Sequence, residues 1–172
     1  MIINSERLFI RKLTIRDIND FHNLQASPNV MKYIIHRPKT RRENENELVK
    51  ILKHDEMNND DFTVLAVCKN DHEFIGTCAI IKNDENDFEI GYRIAEEFWG
   101  NGFGSELLQL LITYCFKVRS LESIVAYVES KNIHSVKMLQ KCGMELINEF
   151  IDKDWGQKVQ FYRLKKEEYR NL

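Results

Sequence analysis

Three of the chain's seven glycines fall in one short stretch, Trp99-Gly100-Asn101-Gly102-Phe103-Gly104-Ser105. An apolar, strand-like segment precedes it, and Leu107, Leu108, Leu111, Cys115 and Val118 follow at helical spacing. A helix start carries unpaired N–H groups and the positive end of the helix dipole, so it can hold an anion. Glycines let the backbone approach that anion without interference from Cβ. The chemistry suggested is pyrophosphate binding. A P-loop would need Gly-Lys-Ser/Thr, and Gly104-Ser105-Glu106 does not supply it. A dinucleotide fingerprint is G-x-G-x-x-G near the start of a βαβ unit, whereas here the spacing is G-x-G-x-G and several strands come first. On the glycines alone, a plain tight turn remains open.

A second chemical feature lies one strand downstream. In Asn132-Ile133-His134-Ser135-Val136-Lys137-Met138-Leu139-Gln140-Lys141-Cys142-Gly143-Met144, Asn132 is a favoured N-cap and Gly143 a left-handed stop. Ser135 lies one turn past Asn132 on the same helix face. Capping and packing account for each of these residues singly, but not for their pairing with a glycine loop. A third feature is Glu89, an acid inside the apolar strand Phe88 to Ala95. Strand alternation puts Phe88, Ile90, Tyr92 and Ile94 on one face and Glu89, Gly91 and Arg93 on the other.

The elements that must position these groups follow from pattern and punctuation. A first strand is predicted over Arg7 to Leu13. Helix starts are predicted at Thr14, at Ser27-Pro28 and at Thr40-Arg41-Arg42-Glu43, the last a capping box running to about Met57. Strands are expected over Phe62 to Cys68, Glu73 to Ile81 and Phe88 to Ala95, joined by short polar connections suited to antiparallel hairpins. A helix over Gly102 to Val118, a strand over Ile124 to Glu129, a helix over Asn132 to Lys141, a strand from Met144 and a last strand over Lys158 to Leu164 complete the order. The strand–helix–strand crossover demands at least one parallel pair, so the sheet is mixed. With no linker, repeat or low-complexity tract, residues 1–172 read as one domain.

Composition narrows the function classes. The chain has 172 residues, is 43% hydrophobic and 30% charged, and carries a formal net charge of -2. The basic run His36 to Arg42 is followed at once by Glu43, Glu45 and Glu47, a solvated helix start rather than a nucleic-acid footprint. Cys68, Cys78, Cys115 and Cys142 form no CxxC pair, and the five histidines offer no zinc spacing, so no metal is expected. Four unpaired thiols, no apolar signal core and no long apolar run point to the cytoplasm and away from the membrane.

Taken together, several pieces resemble the GNAT family of acetyltransferases, particularly its RimJ/RimL-like branch, the ribosomal-protein N-terminal acetyltransferases. They are Glu6-Arg7-Leu8-Phe9-Ile10-Arg11, Phe88-Glu89-Ile90-Gly91-Tyr92-Arg93-Ile94, the loop Phe98 to Ser105, the Asn132 to Met144 helix, and the closing Phe161 to Tyr169. The resemblance implies an α/β (α+β) fold: a mixed, mostly antiparallel twisted sheet of about seven strands flanked by helices, splayed between two parallel strands. Acetyl-CoA, as cosubstrate, would lie in that wedge. Pantetheine would run along Tyr92, Arg93 and Ile94, with pyrophosphate on the loop Trp99, Gly100, Asn101, Gly102, Phe103, Gly104 and Ser105 and a further contact at Asn132. Two positions depart from the family pattern. Trp99 stands where Gln or Arg is usual, and Leu139 stands where many relatives carry a tyrosine acid.

The reaction implied is direct attack of a primary amine on the thioester. An α-amino group costs roughly 1 kcal/mol to neutralise near pH 7, a lysine or polyamine nitrogen about 4.6 kcal/mol. A base is therefore needed, and Glu89 is the candidate, since related acetyltransferases use a glutamate at the matching place; a solubilising strand glutamate is the plain alternative. Ser135 is the candidate donor or substrate ligand, or simply a small residue packed at the helix start. The histidines read as solvated, and Trp155 as a wall of the acceptor mouth or a loop anchor. The acceptor is expected to be a peptide or protein N-terminus or a small amine, with a homodimer left open. It should enter between the Thr14–Met57 helices and the Ile147–Lys158 hairpin, near Asp17, Asp20, Asp55, Glu56, Asp152 and Asp154 but also Arg37, Lys39, Arg41 and Arg42, so the sequence leaves the sign of the local field open. A non-catalytic acyl-CoA binder, a polyamine- or antibiotic-type acetyltransferase and, more remotely, a nucleotide-dependent oxidoreductase are the alternatives.

Overall fold

Local sequence rules account for how each element starts. The structure, a computed structural model, describes residues 2–57, 59–154 and 156–169. After β1 (Ile3–Asn4) and β2 (Leu8–Lys12), the chain makes a 3₁₀ turn at Ile15–Asp17 and enters α1 (Ile18–Ala26). The Asp17 carboxylate accepts from the Thr14 amide at 2.7 Å and the Thr14 hydroxyl at 3.0 Å, and Arg11 pairs with it at 2.6 Å. Ser27 caps α2 (Pro28–Met31), with proline in the first turn. Thr40 and Glu43 form the capping box that opens α3 (Arg41–Glu56).

The rest of the chain is β3 (Phe62–Lys69), β4 (Phe74–Lys82), β5 (Phe88–Ile94), α4 (Phe103–Thr113), β6 (Ser123–Glu129), α5 (Ile133–Lys141), β7 (Glu145–Ile151), β8 (Lys158–Lys165) and a last turn, α6 (Lys166–Tyr169). The strands form one sheet in the order β1-β2-β3-β4-β5-β6-β8-β7. Eight strands stand where about seven were expected, because the two-residue β1 pairs antiparallel with β2 and is too short to leave a pattern. The sheet is mixed and mostly antiparallel, as expected, and among the described residues only the β5–β6 pairing is parallel. That pairing has a single register position, Glu89 opposite Val125, whereas β4 and β5 pair from Gly76–Ile94 to Lys82–Phe88. The two parallel strands therefore part beyond Glu89, and a wedge opens in the middle of the sheet.

Strand alternation gives the sheet two different faces. On one, Leu8, Ile10, Cys78, Ile80, Ile90, Ile94, Ile124, Ala126, Val128 and Tyr162 pack under the α4 residues Leu107, Leu108, Leu111 and Ile112. On the other, Phe9, Ala66 and Cys68 pack against Phe21 of α1 and Leu48 and Ile51 of α3. The α1–α3 layer stops short of β6, so Glu89, Gly91, Tyr127 and Glu129 line an open concavity there. The helix expected to reach Val118 gives way at Thr113 to a wide π turn, Tyr114–Val118. The turn buries the adjacent Cys115 and Phe116 and leaves Val118 60% exposed, which regular helical spacing would not do.

Candidate functional site

The glycine loop is held from both sides before any ligand is considered. The Trp99 indole donates to the Ile94 carbonyl at 2.7 Å, folding the loop back onto the end of β5. Arg7 donates to the Asn101 carbonyl at 3.0 Å and to Glu106 Oε2 at 2.7 Å, while the Ser5 hydroxyl reaches Glu106 Oε1 at 2.7 Å. Glu106 sits in the first turn of α4, where the helix dipole favours an acid. Gly102 takes φ +80° as the residue before α4, a left-handed conformation that glycine adopts without steric cost. Gly104 has ordinary geometry, but a Cβ there would come within 3.1 Å of Met138 Sδ, so its bareness lets α4 and α5 approach closely. Asn132 Oδ1 accepts from the Ser135 amide at 3.3 Å and caps α5.

These pieces enclose a cleft of about 920 Å³. Of the expected cofactor contacts, Tyr92, Arg93, Ile94, Trp99, Gly100, Gly102, Phe103, Gly104, Ser105 and Asn132 line it, and so does Ser135. Asn101 does not; its amide side chain turns back to the Trp99 carbonyl at 3.1 Å. Phe103, Gly104 and Ser105 line this space and precede the first bond of α4, from the Glu106 amide to the Gly102 carbonyl, so their amides are the donor set a pyrophosphate requires. Acetyl-CoA fits a cleft so built.

Glu89 lies elsewhere, in a second cavity of about 1040 Å³ on the concave face of the sheet. Burial alone pushes its carboxyl above the usual range. Tyr92, Arg93, Asn132, Ser135, Tyr33 and Ile34 line both cavities, which therefore meet at the open end of the β5–β6 wedge. At that junction the Tyr92 hydroxyl lies 3.4 Å from Ser135 Oγ. Burial raises the Tyr92 phenol above its ordinary value, with Ser135 opposing, so it holds its proton at neutral pH. Arg93 donates to Gln25 Oε1 of α1 at 2.5 Å, tying β5 to the helical layer.

Sequence reasoning placed Tyr92 as a cofactor contact and had no means to see its phenol beside Ser135, which depends on the packing of α5 over β5. It also passed over Glu129, which is 7% exposed and lines the second cavity. Alternation along β6 puts Glu129 on the face of Val125, Glu89's partner, so the signal existed once the parallel register was known. The cavity does lie between α3 and the β7–β8 hairpin, but of the acids expected at its entrance only Asp152 lines it. Asp17 is committed to Arg11 and Asp55 to Lys12. Trp155 lies outside the described residues. Among the described residues no group of three His, Cys, Asp or Glu side chains is arranged to hold a metal, and no helix is long and apolar enough to cross a membrane.

Comparison with known proteins agrees with this geometry. Residues 7–145 match the family model described as an acetyltransferase (GNAT) domain. The chain is 30% identical over 143 residues to the uncharacterized N-acetyltransferase p20 of Bacillus licheniformis, covering 82% of this chain and 80% of that one. It is 28% identical over 152 residues to the spermidine N(1)-acetyltransferase of Vibrio cholerae, covering 85% and 86%. Its fold superposes on a GNAT-family acetyltransferase from Bacillus anthracis with a TM-score of 0.85 at 25% identity, over 98% of this chain and all of that one.

Proposed function

The chain belongs to the GNAT family and is an acetyl-CoA-dependent N-acetyltransferase, and on that premise we propose that it acetylates a small cationic primary amine, with Glu89 as base. The observation that carries this reading is the meeting of two cavities at Tyr92, Asn132 and Ser135. The first offers backbone amides for a pyrophosphate; the second carries Glu43, Glu47, Glu89, Glu129 and Asp152 against Lys39, Lys50 and Arg93, an acidic excess suited to a cation. A thioester delivered from the first to the junction would face an amine arriving from the second.

In this mechanism acetyl-CoA supplies the activated carbonyl, bound through the loop Trp99–Ser105 and along Tyr92–Ile94. Glu89 accepts a proton from the incoming ammonium, directly or through one water, leaving a neutral nitrogen to attack the carbonyl carbon. The new C–N bond forms as the C–S bond breaks, the departing sulfur takes a proton from a side chain, and the nitrogen's second proton restores that donor, so that the proton held by Glu89 is the one released to solvent. Leu139 is buried and has none to give, so the Tyr92 phenol, supported by Ser135, is the donor. Proton transfer by placed side chains contributes about 10²–10⁴-fold. Glu89's raised pKa moves a carboxylate towards the range in which it works as a base near neutrality.

The polyamine class has the better support, from the carboxylates of the second cavity and from the spermidine acetyltransferase relative. A peptide or protein N-terminus is the second reading, favoured by the branch resemblance at Glu6–Arg11 and by Leu139, since an α-amine needs less deprotonation help. Residues 1–172 act in this reading as one acetyltransferase domain. A cytoplasmic location suits four free, buried thiols. A homodimer is favoured by β7, which is at the sheet edge and exposes Leu146, Ile147, Phe150 and Ile151. The test is an acetyl-transfer screen over diamines, polyamines, short N-terminal peptides and peptides with internal lysines, read by mass spectrometry. Acetylation of small amines is expected, and acetylation of internal lysines alone would overturn the reading.

A further inference from the structure

We propose that Glu129 is a specificity residue that anchors a second ammonium group, so that the enzyme selects an elongated acceptor with two cationic nitrogens. This rests on the small-amine reading above and adds to it. Glu129 ends β6, is 7% exposed, and its Oε2 is buried with no hydrogen-bond partner; His36 Nε2 lies 3.6 Å away, an ion-pair distance but not a hydrogen bond. A buried charged oxygen without a donor is unusual in a folded protein and calls for a reason. Glu129 faces the acceptor cavity, which supplies one.

The other charged side chains of that cavity have partners of their own. Glu43 pairs with Arg37 and with the Thr40 amide, and Glu47 pairs with Lys39. Lys50 lies over the Phe62 ring at 5.7 Å, and Arg93 donates to Gln25. Asp152 has interactions of its own. Glu89 stands apart from these contacts, Glu129 faces His36 at 3.6 Å, and the two acids lie on one line. Glu89 pairs in register with Val125, and Val125, Tyr127 and Glu129 share a face of β6. At about 3.3 Å per residue the two acids are separated by roughly 13 Å along the strand direction. Tyr127 lies between them, stacked on Phe161 with centroids 4.9 Å apart and meeting Phe150 edge-on at 6.3 Å.

An acid, an aromatic surface and a second acid are complementary to an ammonium, a methylene run and a second ammonium. A peptide N-terminus offers one cation followed by amides, and a simple monoamine offers nothing for Glu129 to hold. The structure thus assigns Glu89 to the reacting nitrogen and Glu129 to the remote one.

The test is steady-state kinetics of the full chain with acetyl-CoA and paired acceptors: α,ω-diamines of increasing length and linear polyamines against monoamines of equal length. Wild-type protein is expected to favour the longer dications by tenfold or more in kcat/KM. Glu129→Gln should raise KM for those dications by about 10- to 100-fold, leave kcat within twofold, and leave both the monoamine constants and the Kd for CoA unchanged. Glu129→Asp, which keeps the charge on a shorter stem, should fall between the two. Turnover of monoamines and dications with equal efficiency, or a dication preference that survives in Glu129→Gln, overturns the role of Glu129 while leaving the small-amine reading intact. Absence of turnover on every small amine overturns both.

Discussion

The CoA cleft and the acceptor cavity share Tyr92, Asn132 and Ser135 yet are built on opposite principles. The cleft is made mostly of main chain: a loop with left-handed Gly100 and Gly102, a helix start, and a second helix start capped by Asn132. Its lining comes from three short stretches, 29–34, 92–105 and 132–138. The cavity is made of side chains contributed by α3, β3, β4, β5, β6 and the β7–β8 hairpin, brought together only by sheet register. A backbone site needs glycines at particular places and so marks the sequence. A side-chain site needs only alternation and pairing, and any one of its residues looks ordinary in its own strand. The same split assigns binding of the common cosubstrate to the cleft and choice of acceptor to the cavity.

The largest expected effect separates the two regions. Gly102→Val puts a β-branched residue at φ +80°, a conformation that costs L-residues about 1–2 kcal/mol. The fold should survive by circular dichroism, while CoA binding by calorimetry is lost. Unchanged affinity would mean that the loop does not carry the pyrophosphate. A smaller effect tests the junction. Tyr92→Phe should lower turnover by about 10²-fold with the Kd for CoA unchanged. The phenol must be protonated to donate, and burial raises its pKa, so wild-type activity should fall only at alkaline pH. That alkaline limb should disappear in the variant, and a limb that persists would remove Tyr92 from the proton path.

The smallest effect belongs to the cavity and concerns stability. Glu89's carboxyl is raised in the folded state by burial, so its charged form is disfavoured there. Its stabilising contribution is full below the unfolded carboxyl's pKa and is lost as pH rises through the folded value. Glu89→Gln should therefore match the wild type near pH 4 and melt a few degrees higher at pH 8. A lower melting temperature at pH 8 would show that the Glu89 carboxylate makes favourable contacts in the folded protein.

Much of this was legible in the residues, unevenly. The helix start at Thr14, the capping box at Thr40, the Ser27-Pro28 start and the Asn132 cap stand where local rules put them, because each depends on neighbours within one turn. The face assignment of β5 holds for the same reason: Ile90 and Ile94 enter the core while Glu89 and Arg93 line the concavity. β1 was missed because two residues carry no period, and the π turn because its register change is set by packing of Cys115 and Phe116 rather than by propensity. The Arg93–Gln25 and Tyr92–Ser135 contacts join residues far apart in the chain. The acids expected at the entrance were drawn from the right segments, but ion pairing to Arg11 and Lys12 removes Asp17 and Asp55.

Catalysis in this scheme turns on Glu89, in the acceptor cavity, as the base for the amine that arrives at the junction. Its most direct measurement is the pH–rate profile of acetyl transfer for wild type and Glu89→Gln, with CoA affinity measured on the same samples. Turnover in the variant should fall by about 10²–10⁴-fold, the acid limb of the profile should vanish, and the Kd for CoA should be unchanged. Wild-type turnover in Glu89→Gln at neutral pH, with the acid limb still in place, would contradict it.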